Sequence, residues 1–347
     1  MTGDPGRSVI NQIGIRYIPE LLMEKRFSGS FSIDGDLSIN CYSVGYINNW
    51  KITDDAIKLK PYRFWGRFGS DYAEVRIGLQ KINFGPAMLI RPLMWFNRID
   101  PRDPLQLTDG VYALLSRYYF KNNTNIWTWL LYGNNGTKGW EKEETREHSP
   151  EYGGRIQIPV YTGELGVTVH RRTAYPAPSI QTNDTISGKD FPENRFALDG
   201  RWDIGIGLWF ETALIQSNYT PVSKYYSRLW TIGTDYTFAA GQGLYTVLEY
   251  FQAESAEEIF DRGESNRFSA LLLRYPAGIL DTFSAIVFFD WENKKWYRTF
   301  TWQRSYDNWQ FYLIGFWNPE FSAFYQNQDN RTSLAGRGFS MMVVFNY

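Results

Sequence analysis

The last ten residues constrain the fold most. Gly338–Tyr347 reads Gly-Phe-Ser-Met-Met-Val-Val-Phe-Asn-Tyr, and Phe339, Met341, Val343, Phe345 and Tyr347 are all apolar or aromatic. Successive side chains of a strand point to opposite faces, so these five share one face. The same period of two recurs upstream. Ala73, Val75, Ile77 and Leu79 alternate with Glu74, Arg76, Gly78 and Gln80. Leu165, Val167 and Val169 alternate with Glu164, Gly166, Thr168 and His170, and Ile206, Leu208 and Phe210 with Gly207, Trp209 and Glu211. An amphipathic helix would repeat its apolar residues every three to four positions. The expectation is an all-β, antiparallel chain.

The connections carry a second rhythm. Short turns are expected at Asp34–Asp36, Gly69–Asp71, Lys121–Asn125, Tyr161–Gly163, Asp203–Gly205, Ala239–Gly243, Pro276–Gly278 and Ser305–Asn308. Between them lie longer polar segments, among them Asn48–Lys60, Asn83–Thr108, Gly133–Pro150, Arg172–Glu193 and Glu320–Arg337. Short and long connections alternating along a meander describe a transmembrane up-and-down β-barrel, with short periplasmic turns and long external loops. The hairpins, the final strand and an opening strand near Asn11–Leu21 give an expected 18 strands, with both termini on the periplasmic side. The count falls to 16 if Asn11–Leu21 and Lys25–Ile33 form one irregular element.

Composition removes the competitors. One cysteine, Cys41, cannot build a disulfide scaffold. Lys and Arg number 36 against 37 Asp and Glu, so no basic excess invites nucleic acid. The longest charge-free window, Asn122–Thr137, has 16 residues and polar ends, whereas a spanning helix takes about 20 mostly apolar ones. Aromatic residues are 18% of the chain, too many to stay solvated in a disordered protein. The mean hydropathy of −0.41 suits a chain whose strands alternate between lipid and water. Trp127, Trp129, Trp202, Trp230, Trp296 and Trp309, with Tyr62, Tyr236, Tyr275 and Tyr297, are placed near strand ends, as in interfacial aromatic belts. The all-β alternative is a soluble sandwich that buries its aromatics and binds sugars through surface rings. Met1–Arg7 lacks the apolar core of a signal peptide, so the sequence is read as the mature form of an exported chain.

Gly338–Tyr347 resembles the C-terminal assembly signal of the bacterial outer-membrane β-barrel porin superfamily. The resemblance implies a bacterial outer-membrane location, contact with lipid and lipopolysaccharide, passage through the outer-membrane assembly machinery, and a homo-oligomer or envelope partner as an option. Gly78–Gly110 runs GLQKINFGPAMLIRPLMWFNRIDPRDPLQLTDG. Its Gly-X-Gln start and Asp-Pro-X-Asp-Pro end resemble substrate-specific porins of the alginate-export type. That resemblance implies an external loop, 83–108, folded into the lumen as a constriction within a single 1–347 barrel domain. The loop's apolar residues must pack somewhere, and capping the outside or holding a neighbouring subunit would also serve.

The polar strand faces assign Arg63, Arg67, Glu74, Arg76, Arg117, Arg155, Glu164, Arg172, Asp199, Arg201, Glu211, Asp235 and Glu249 to the lumen. The pore-lining and constriction candidates are Arg63, Arg67, Glu74, Arg76, Arg117, Arg155 and Arg201 from the wall, with Arg91, Arg98, Asp100, Arg102 and Asp103 from the loop. A lumen lined by both signs holds water and sets up a field across the constriction; the same charges could instead pair and fill the space. Enzymatic chemistry has few carriers. The two histidines are His148, in the charged stretch Glu141–Ser149, and His170, on a polar strand face, and neither a nucleophile elbow nor a zinc-protease motif is present. No cofactor, metal or nucleic acid is expected. The expected function is passive diffusion of small hydrophilic solutes. The alternative is a non-conducting barrel, a scaffold or surface-binding subunit of an envelope complex.

Overall fold

The computed structural model describes residues 11–27, 29–48, 51–53, 57–175, 190–219, 223–319 and 334–347. Twenty strands form one antiparallel sheet. The first six are β1 Asn11–Tyr17, β2 Glu20–Arg26, β3 Ser32–Asn48, β4 Lys51–Thr53, β5 Lys58–Gly69 and β6 Ala73–Gln80. Next come β7 Val111–Tyr119, β8 Asn125–Leu131, β9 Glu144–Thr145, β10 Glu151–Val160, β11 Gly163–Tyr175, β12 Phe191–Asp203 and β13 Gly207–Tyr219. The rest are β14 Ser223–Phe238, β15 Leu244–Ala256, β16 Glu264–Pro276, β17 Asp281–Asp290, β18 Lys295–Ser305, β19 Trp309–Trp317 and β20 Arg337–Phe345.

Sequence neighbours pair as hairpins through the meander. The exceptions simplify the count. β1 and β2 both pair with β3, at Cys41–Ile47 and Ser32–Ser38, so they are two halves of one edge position broken at Ile18-Pro19. A proline has no N–H for a ladder, which is why the break falls there. β4 and β9 are short additions on β3 and β11. The described residues therefore make seventeen strand positions rather than 18 or 16. The expected turn at Asp34–Asp36 does not form. β3 runs straight through it, and the hairpin closes instead at 27–31, where Gly29 takes φ 109°. Asp34 and Asp36 are inward positions, and Asp34 meets Arg67 at 2.7 Å; that long-range pair outweighs the local Asp-Gly turn preference. The other seven short turns fall where expected.

Alternation sorts the faces. Ile77 is 63% exposed, Phe64 61%, and Met341 75%, all on the outer face, while their sequence neighbours Arg76, Arg63 and Met342 turn inward. Phe339, Val343, Phe345 and Tyr347 share the outer face with Met341. Outward apolar residues on strand after strand rule out the soluble sandwich, which would bury them. The aromatic expectation is corrected in part. Trp296, Trp309 and Tyr236 lie outside, but Trp129 and Tyr297 are each 3% exposed and face inward.

The sheet curls into a barrel around its own loop. Residues of 81–110 join one apolar cluster with Trp129 of β8, Trp209 of β13, Phe251 of β15 and Phe288 of β17, which only a wrapped sheet can bring together. Tyr347, just after β20, stacks on Tyr17 of β1 at 6.2 Å, so the two edges meet. Seventeen is odd, so the first and last positions run in the same sense. No backbone ladder joins β1 or β2 to β20 among the described residues.

Candidate functional site

The lumen is occupied by the connection between β6 and β7. Ile82, Phe84, Ala87, Leu89, Ile90, Leu93, Trp95 and Phe96 are all at most 5% exposed. Fully burying a leucine- or phenylalanine-sized side chain is worth about 1.5–3 kcal/mol, so the segment is driven inward by its own composition. Phe84 stacks on Trp129 at 5.7 Å and meets Trp95 edge-on at 5.6 Å.

Buried irregular backbone must find partners for its N–H groups. Here the barrel wall supplies carboxylates. Glu249 of β15 accepts the backbone N–H groups of Met88 at 2.6 Å, Leu89 at 3.0 Å and Ile90 at 2.8 Å, and the indole N–H of Trp209 at 3.1 Å. Glu211 of β13 accepts those of Ala87 at 2.7 Å and Leu93 at 3.0 Å. Pro86 and Pro92 have no N–H to satisfy. Gly85, at φ 90°, lets the loop pass against Glu211, where a Cβ would strike the carboxylate. The Thr231 hydroxyl donates to Ile90 O at 2.7 Å, and the Trp140 indole to Arg91 O at 2.7 Å. The sequence places Glu211 and Glu249 in the lumen, but nothing local signals that they would seat the loop.

A second connection also folds inward, which the sequence did not reveal. In 132–150, Glu141 has no exposed side-chain surface and pairs with Arg195 at 2.7 Å and Arg172 at 3.2 Å. Both arginines also hold Glu193. Lys138 pairs with Glu151 at 2.9 Å, and Glu151 meets His170 at 3.2 Å. The other ring nitrogen of His170 faces the Trp129 indole at 3.1 Å. Phe96 of the 83–108 connection meets the His170 ring edge-on at 5.1 Å, so this buried imidazole links loop and wall. Trp140, an aromatic ring inside a charged stretch, was the available signal.

The expected constriction residues separate into groups. Four form one cluster at the short-turn end: Arg67 bridges Asp34 and Glu74, Arg117 pairs with Glu74 at 2.8 Å, and Arg76 lies over the Trp65 ring at 4.4 Å. Arg155 makes a two-pronged pair with Asp199, at 2.5 and 2.8 Å. Arg201 pairs with Asp235 at 3.0 Å. Arg63 donates to the Thr108 carbonyl at 3.1 Å. The loop charges largely brace the loop itself: Arg91 donates to Phe84 O, Arg102 grips Asp100, and Asp103 caps Leu105 N–H. Burial raises the Asp103 carboxyl above its ordinary range. Arg98 instead reaches across to Gly139 O and Thr137, tying the two in-folded connections together.

Above the packed loop, on the side of the long connections, lies a cavity of about 1430 Å³. Met94, Arg98 and Trp140 line its floor, and Tyr225, Glu257 and Arg262 line its wall and rim. Register puts Gln12, Arg16, Glu20, Glu24 and Arg26 on the inner face of β1 and β2, and all five are exposed.

No protein-family model and no curated protein matches this chain. Among solved structures, the chain is similar to OmpT, an outer membrane protein of Vibrio cholerae, at 11% identity, with 86% of this chain and 91% of that one covered and a TM-score of 0.46. It is similar to an anion-selective porin from Comamonas acidovorans at 10% identity, covering 97% and 95%, with a TM-score of 0.45. It is similar to Wzi of Escherichia coli, described as an outer membrane protein involved in group 1 capsule assembly and a carbohydrate-binding β-barrel, at 10% identity, covering 87% and 79%, with a TM-score of 0.48.

Proposed function

We propose that this chain is an outer-membrane channel through which small hydrophilic solutes diffuse passively, along an off-centre path beside β1 and β2. The observation that carries the reading is the inner face of the edge position. Gln12, Arg16, Glu20, Glu24 and Arg26 point inward yet stay exposed, while the loop fills the space beside β7, β8 and β12–β17. Barrels of 16–18 strands leave an aqueous interior unless it is plugged, and this loop plugs one side. The apolar outer face is suited to lipid, and a closed sheet leaves few backbone groups for hydrocarbon to strand. Solutes would pass the exposed charges of β1 and β2, with the Arg67–Glu74–Arg117 cluster beyond. The test is single-channel recording of detergent-purified, heat-modifiable protein in a planar bilayer. Stable small steps are expected; folded protein that never conducts would overturn the reading.

A second reading has its own observation. The cavity of about 1430 Å³ sits over a tightly packed floor and faces the long connections. A non-conducting barrel that binds an envelope partner or a surface ligand there would need no open path. Silence in the bilayer together with a stoichiometric co-purifying partner would favour it.

A further inference from the structure

The inner face of β3 carries a row of oxygens of which only one, on Asp34, is taken by the arginine cluster. Asp34, Asp36, Ser38 and Asn40 are consecutive inward positions, spaced about 7 Å apart as alternate residues of a strand. Asp36, Ser38 and Asn40 are only 6%, 4% and 8% exposed. Each holds a buried oxygen without a protein partner: Asp36 Oδ1, Ser38 Oγ and Asn40 Oδ1. Asp34 gives one oxygen to Arg67, and its Oδ1 has none. Asp36 makes no ion pair among the described residues.

The neighbours leave Asp36 without a counter-charge. Across the β2 ladder, Glu20 stands opposite Ser38, Leu22 opposite Asp36 and Glu24 opposite Asp34. Glu24 is held by Arg26 at 2.6 Å. On the β5 side, Trp65 faces Asp36, Arg63 faces Ser38 with its guanidinium turned to the Tyr62 and Thr108 carbonyls, and Lys60, opposite Asn40, is paired with Asp109 at 2.6 Å. Arg67 is shared between Asp34 and Glu74, and Arg76 lies on Trp65. One oxygen of Asp36 is cut off from any donor and the carboxylate has no counter-charge among the described residues, so a cation placed beside it would be favoured. Among the described residues no group of three or more carboxylate, imidazole or thiol side chains could chelate a metal ion. Oxygens about 7 Å apart along a strand cannot close on one bare ion, so the row suits a weakly held, hydrated monovalent cation that meets them one after another.

We propose that the inner face of β3 is a cation-binding rail, with Asp36 as its charged centre and Ser38 and Asn40 as the neutral oxygens next along the strand. The proposal deepens the channel reading, since it places a cation-selective contact beside the open path. The test uses the full barrel in detergent and potassium ion as probe, with thermal unfolding compared in potassium chloride and choline chloride at equal ionic strength. Wild type should unfold at a higher temperature in potassium chloride. Asp36→Asn should lose that difference while being no less stable than wild type in choline chloride. A wild type indifferent to the cation, or an Asp36→Asn variant that keeps the full difference, would overturn the rail. If Asp36→Asn fails to assemble, the Ser38→Ala/Asn40→Ala variant decides: a reduced potassium effect supports the rail, and an unchanged one overturns it. In a bilayer with a salt gradient, Asp36→Asn should lower the cation-to-anion permeability ratio. A silent barrel would sink the channel reading and leave the thermal comparison to judge the rail.

Discussion

The two sides of this barrel use one alternating strand pattern against different interiors. Beside β7, β8 and β12–β17 the inward positions meet the in-folded loop, and Leu115, Leu131, Val247 and Phe251 are at most 1% exposed. On β1 and β2 every described side chain is exposed on both faces, with Ile13, Ile15, Leu21 and Met23 outside and Arg16, Glu20, Glu24 and Arg26 inside, while Leu22 and Lys25 break the pattern. The lesson is that exposure here has two meanings. Ile15 at 75% and Arg16 beside it are both open, but only the arginine is placed for water. The packed side holds the loop, and on β1 and β2 the inward side chains stay exposed.

The largest way to break this contrast is to remove the loop. Replacing 83–108 by a short Gly/Ser link should raise single-channel conductance several-fold, and a lumen no wider than wild type would contradict the occupancy described above. Next is the buried network on the packed side. Arg195→Met leaves Glu141 and Glu193 each short of a partner, and such a loss costs about 3–5 kcal/mol; chemical denaturation in detergent should show it. Met341→Lys puts a charge on the outer face, where the cost is about 2–4 kcal/mol near the bilayer midplane and falls towards the interfaces. Refolding into lipid vesicles measures that penalty, and its absence would mean that this face does not meet hydrocarbon. The smallest stability effect sharpens the comparison most. Arg26→Gln, exposed but on the inner face, should change stability by about 0.5 kcal/mol or less while shifting the reversal potential in a salt gradient.

The wall was largely legible because alternation is a local property. Seven short turns, the outward row Phe339–Tyr347, and the inward positions Glu211 and Glu249 all follow from a period of two. What escaped depends on partners far along the chain. Asp34-Gly35-Asp36 carries a turn signal, and only Arg67, brought alongside by the ladder, keeps it extended. The in-folding of 132–150 was hidden because its charges look solvated until Arg172 and Arg195 are opposite them. The seating of 83–108 was half visible. Its apolar content demanded a home, but that two wall carboxylates would gather five backbone N–H groups appears only once β13 and β15 curve round to the loop.

The ring contact between Tyr17 and Tyr347 also has a meaning in time. It joins positions separated by nearly the whole length of the described chain. Loop-closure entropy grows only slowly with separation, about 0.6 kcal/mol for each doubling, so distance alone does not forbid the meeting. Yet every hairpin between can zip locally, whereas the seam has no neighbouring turn to help it. The barrel should therefore form as a growing curved sheet whose rims find each other late, with the two tyrosines marking where they meet.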